Sequence, residues 1–154
     1  MGFGRQVRRW DALSVTVLLV VAMMSVETCE AAALLDVKDT GHLTLATGAR
    51  TDGPLQETGK ATGTLSGDIH ASISLNAATA KASFTLYTRG GTISGSGSGA
   101  LKYGKGGYDS FGGSARITGG TGRYAGARGT GRIYGSIDRI NYHASVQVDG
   151  TLHY

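Results

Sequence analysis

Beyond position 29 the chain has no cysteine, and Cys29 is its only one. The residues that follow form no disulfide with one another and offer no thiol for nucleophilic or redox chemistry. Its one proline, Pro54, lies in Gly48–Gly59 (GARTDGPLQETG), which reads as a long loop. No helical period is convincing after residue 33. That removes nucleotide-binding folds, whose glycine loops must open a helix to hold a phosphate. His42, His70, His143 and His153 show neither H-x-H nor H-E-x-x-H spacing, so no metal site is expected. No serine stands in a nucleophile elbow, which removes Ser-His-Asp hydrolysis. No cofactor is implied.

The first 33 residues have their own grammar. Arg5, Arg8 and Arg9 precede an apolar stretch (LSVTVLLVVAMMSV), and Ala31, Ala32 and Ala33 follow. Charge, then apolar residues, then small residues is the order of a secretory signal peptide. The competing reading is a retained anchor, but a spanning helix wants about 20 apolar residues, and Glu27 interrupts this stretch sooner. Residues 1–33 are read as the leader and 34–154 as a single exported domain, extracellular or in the cell envelope.

That domain carries 12 basic and 8 acidic side chains, so the net charge of +4 is its own. Arg116, Arg123, Arg128, Arg132 and Arg139 cluster in its last third. Such an excess favours acidic partners such as glycans, or is simply a solvated face.

The domain reads as β nearly throughout. From Ala61 to Asn76 small or apolar residues alternate with polar ones, the period of a half-buried strand. The run is long for one flat strand, so a bend is expected near Gly63 or Gly67. Tyr142 to Tyr154 alternate in the same way. Shorter strands fit Leu43–Thr47, Ala82–Arg89, Thr92–Tyr103, Ser110–Thr118 and Gly129–Asp138. Two architectures suit seven or eight such strands: an up-and-down antiparallel barrel, or a parallel β-helix hinted at by the repeats GTLSG and GTISG. Strands of nine or more residues joined by short glycine turns favour the barrel. Gly95, Gly97 and Gly99 fall on the inward phase with Ile93 and Leu101. A large side chain there would add about 1.5–3 kcal/mol of burial, so these glycines bend the strand or leave space inside.

Residues 117–138 (ITGGTGRYAGARGTGRIYGSID) hold the densest glycines. An RNA-binding tail shares this composition, but the run keeps its β alternation and belongs to an exported chain, so no nucleic-acid partner is expected. Gly119-Gly120-Thr121-Gly122 suits a tight connection between strands.

At this point the sequence resembles a family. Gly119 to Gly129 (GGTGRYAGARG) is similar to the G-G-T-G-x-[FY]-x-x-A-R-G signature of dirigent proteins, whose relatives the allene oxide cyclases share one small barrel. Asp52-Gly53-Pro54-Leu55 resembles their D-x-P-L segment, followed by G-x-A-x-G at Gly59–Gly63, and the terminal Leu152-His153-Tyr154 resembles their last strand. The resemblance implies an all-β, eight-stranded antiparallel barrel with a cavity, exported and often a homo-oligomer. It implies steering of the coupling or cyclisation of a small hydrophobic or phenolic molecule. By position it marks Asp52 and Arg128 as catalytic candidates: a proton donor or acceptor, and a stabiliser of an anionic or quinone oxygen. Tyr124, Tyr134 and Tyr142 are candidates for lining a pocket. The chain is richer in glycine and serine and poorer in large aromatics than plant members, so the fold carries over better than the activity. The alternatives are a non-catalytic barrel whose basic face binds an acidic glycan or a protein, and a β-helical adhesin module.

Overall fold

A computed structural model describes residues 32–48 and 52–154. The leader reading lies outside the described residues except at Ala32 and Ala33. Eight strands follow one another around a closed antiparallel barrel: β1 (Leu34–Leu45), β2 (Leu55–Gly63), β3 (Gly67–Leu75), β4 (Thr79–Thr88), β5 (Gly91–Tyr103), β6 (Tyr108–Gly120), β7 (Arg128–Asp138) and β8 (His143–His153). β8 closes on β1 in a register running from Leu34 opposite His153 to Leu43 opposite Ala144. Closure leaves no ladder edge open to other chains. The antiparallel ladder also decides against the parallel β-helix.

The strand connections alternate between two rims. The upper rim holds the β1–β2, β3–β4, β5–β6 and β7–β8 connections. The lower rim holds β2–β3, β4–β5 and β6–β7, together with the start of β1 and the end of β8.

Two sequence expectations change here. The alternating run from Ala61 to Asn76 is not one bent strand. The chain reverses between Gly63 and Gly67, where Gly63 has φ 130° and an added Cβ would stand 2.5 Å from Asp39 Oδ1. The Asp39 carboxylate accepts the Leu65 N–H at 2.9 Å and so holds the turn tight. Leu65, at its tip, is buried under the lower rim beside Val37 and Tyr124. The supposed loop Gly48–Gly59 is strand from Leu55 onward. Leu55, Glu57, Gly59 and Ala61 keep the inward phase, and Pro54 sits just before the ladder begins, where its missing N–H removes no strand hydrogen bond.

The glycine run behaves as a connection. β6 ends at Gly120, a single 3-10 turn spans Gly122–Tyr124, and β7 starts at Arg128. Gly122 (φ 61°) and Gly126 (φ 77°) take the backbone conformation that side chains disfavour. The Arg123 N–H donates to the Gly90 carbonyl at 2.8 Å and ties this connection to the β4–β5 turn.

Two apolar clusters occupy the ends of the barrel. The lower one joins Val37, Leu65, Leu86, Ile93, Tyr124 and Leu152. The upper one joins Leu43, Leu55, Ile73, Leu101 and Ile137.

Candidate ligand cavity

The interior is not filled along its length. A cavity of about 170 Å³ is walled by side chains including Leu43, Ile73, Phe84, Ile133 and Val146, with Gly97 among the backbone that completes it. A dry cavity of about 150 Å³ holds a benzene molecule, so this one has room for a single ring or a short chain.

The inward glycines explain the space, and they do a second job. A Cβ at Gly97 would stand 2.9 Å from Ile133 Cδ1, and one at Gly95 would stand 2.8 Å from Phe84 Cζ. The bare strand is thus the seat on which two large side chains from other strands lie. Glycine here leaves a gap and also shapes its walls.

Among the described residues the cavity wall carries no lysine, arginine or histidine. Its one ionisable residue is Asp39, engaged at the lower rim. Burial pushes the Asp39 carboxyl above its usual range, with the Leu65 and Thr64 amides pulling it back in part.

A second carboxyl stands beside the wall. Glu57 lies on the inward phase of β2, opposite Leu45 on β1 and Ala71 on β3. It is 1% exposed. Neither carboxyl oxygen has a hydrogen-bond partner among the described residues. Burial alone pushes its pKa up to about 7. Sequence reasoning missed Glu57 because it fell in the supposed loop. The signal was present: counting back by twos from Ala61 reaches Gly59, Glu57 and Leu55.

At the upper rim, Asp109 and Asp138 are both buried and both satisfied. Asp109 accepts the Gly104 N–H at 3.2 Å and the Arg139 Nε–H. The Arg139 guanidinium also lies 5.4 Å from the Tyr103 ring centre. Asp138 accepts the Ile140 N–H at 2.8 Å and the Asn141 side-chain amide at 3.0 Å. The Ile140 amide is the main cause holding its carboxyl below the usual range. These two aspartates fasten hairpin turns.

The residues singled out from sequence are not gathered at one place. Asp52 is exposed at the upper rim, just before β2. Arg128 opens β7 at the lower rim, exposed, and donates to the Ala127 carbonyl at 2.7 Å. The pair stand at opposite ends of the barrel, so the joint acid–base arrangement expected of them is not formed within one chain. Tyr124 is buried, but as the plug of the lower rim, edge-on to Tyr154 with ring centres 5.0 Å apart. Tyr142 is half-buried against the upper cluster, with φ 54°. Tyr134 is 47% exposed on the outer face, because Ile133 takes the inward phase of β7. None of the three tyrosines lines the cavity. All four histidines are exposed.

This arrangement can enclose a small apolar body, with the Asp39 carboxyl in the wall and Glu57 on the same inward face outside the lining. No family model matches the sequence. No curated protein matches it. Among solved structures, that of the pterocarpan synthase dirigent protein matches over 80% of this chain and 87% of its own, at 13% identity and a TM-score of 0.36.

Proposed function

We propose that this chain is an exported, dirigent-like barrel that holds a small hydrophobic or phenolic molecule in its interior and steers that molecule's coupling or cyclisation. The observation that carries the reading is the apolar cavity of about 170 Å³, large enough for one ring. The ordered resemblances at Asp52–Leu55, Gly119–Gly129 and Leu152–Tyr154 support it. With Asp52 and Arg128 on separate rims, proton handling inside falls to Asp39 and Glu57. Calorimetric titration with toluene and p-cresol tests the binding step. Saturable one-to-one binding is expected, and its absence would remove the reading. Steering is tested by oxidising a prochiral phenol with a one-electron oxidant and measuring enantiomeric excess with and without the protein.

A second reading is favoured by one surface. Lys81, Arg116 and Arg132 point outward from β4, β6 and β7, among Ser83, Ser96, Ser98 and Ser114. The only acidic side chain next to these three is Asp149 on β8, directly opposite Arg132, so Lys81, Arg116 and the serines between them form the part that suits an acidic glycan. Retention on a heparin matrix that falls steeply with salt would support this reading, and salt-independent behaviour would count against it.

A further inference from the structure

We propose that the ligand of this cavity is a small amine with an apolar ring or short chain, and that Glu57 receives its ammonium group. The proposal rests on the ligand-binding reading above and names the chemical class that the binding site selects.

Three observations carry it. First, Glu57 is 1% exposed and both of its oxygens lack partners among the described residues. Buried polar groups in folded proteins nearly always have a partner, and a buried carboxyl without one is costly. A partner that the described residues do not supply is one that a ligand can bring.

Second, the position is right. Ala71, directly opposite Glu57 on β3, lines the cavity, and so do Leu43 and Ile73, its diagonal neighbours on β1 and β3. Glu57 shares their inward face toward the upper rim without itself being part of the wall, so a ligand seated against these side chains meets the carboxyl by extending a substituent past them.

Third, the charge is one-sided. Among the described residues the wall holds no basic side chain, and its own ionisable residue, Asp39, is already bonded to the Leu65 amide. An anionic ligand would meet two carboxyls and no cation. A neutral ring would leave Glu57 as it is. An ammonium group supplies both charge and donors, and a charge-assisted hydrogen bond is the strongest pairing open to a carboxylate.

The test is calorimetric titration of the full chain at pH 8 with four probes of similar size: toluene, benzyl alcohol, benzylamine and benzoate. Benzylamine is expected to bind about tenfold more tightly than toluene, with benzoate weakest. In Glu57→Gln and Glu57→Leu the advantage of benzylamine should vanish while toluene still binds. The leucine variant, which leaves no buried polar group, serves if the glutamine variant fails to fold. Toluene binding without any preference for benzylamine would overturn the amine assignment and leave the cavity reading intact. A preference that survives in Glu57→Leu would overturn the role of Glu57. If neither toluene nor benzylamine binds, the cavity reading falls and this proposal falls with it.

Discussion

Gly97 on β5 faces Ile133 on β7 across an intervening strand: a Cβ on the glycine would stand 2.9 Å from the isoleucine Cδ1. The isoleucine reaches that far because its own partner on β6 is Gly113, in turn opposite Gly99. Three backbones without side chains thus let one residue form part of the cavity wall. Gly97→Val should overpack this point, costing about 1–3 kcal/mol in urea unfolding and weakening toluene binding. Ile133→Ala in the same chain should recover part of the loss. A double-mutant cycle measures the coupling, and simple additivity would contradict the contact.

Glu57 sets a pH dependence with a definite sign. Its carboxyl is raised from the ordinary 4.5 to about 7 in the folded chain, so the folded state holds a proton that the unfolded state has released. Its contribution to stability is complete below pH 4.5 and is lost as the pH rises through about 7. The loss by pH 8 is on the order of 3 kcal/mol. Glu57→Leu should be more stable than the parent at pH 8, and its urea midpoint should change less between pH 5 and pH 8. Equal pH profiles for parent and variant would mean that Glu57 is not the buried group described.

Arg139 and Asp109 form a partly buried pair at the upper rim. The Asp109 side chain is 3% exposed and that of Arg139 is 32% exposed. Arg139→Met leaves the buried carboxylate without its cation. The expected cost is about 2–3 kcal/mol, below that of a fully buried pair because the arginine is partly solvated. Asp109→Asn with Arg139→Met should cost less than Arg139→Met alone, since no buried charge then remains. Chemical denaturation of the three variants checks the order.

Asp52 and Arg128 stand on opposite rims. If each acts only at its own end, the effects of Asp52→Ala and Arg128→Ala on stability and on p-cresol affinity should add within about 0.5 kcal/mol. A clear departure from additivity would show that the two communicate after all, for instance across neighbouring copies in an oligomer.

Much of the barrel was legible because it rests on local chemistry. Period-two alternation marked the inward faces of β3, β5 and β8, and the glycine cluster at Gly119–Gly122 marked the β6–β7 turn. What misled was phase carried through a reversal. Leu65 is buried at the tip of a turn, so it continued the alternation of Ala61 and made two strands look like one. The inner face of β2 was hidden by a proline and by a carboxylate standing where an apolar residue is expected.

The site was less legible than the fold. The space left by Gly97 and Gly99 followed from counting by twos, and both line the cavity. The same count shows that Tyr134 must face outward if Ile133 and Ile137 face in. That a buried tyrosine such as Tyr124 plugs a rim, and does not line the interior, depends on how the β6–β7 connection folds under the barrel. No local pattern carries that information. Asp39 and Glu57 were unreadable as a pair of interior carboxyls because one holds a turn and the other sits in a strand taken for a loop.

The central claim is that the interior of this barrel is an accessible apolar cavity able to hold one ring. Methyl-labelled nuclear magnetic resonance during a toluene titration tests it most directly. The expected result is saturable shifts at the methyls of Ile73, Ile133 and Val146, with intermolecular Overhauser contacts to the toluene ring. Contacts confined to exposed side chains such as Ile140, with the interior methyls unmoved at saturating toluene, would contradict it.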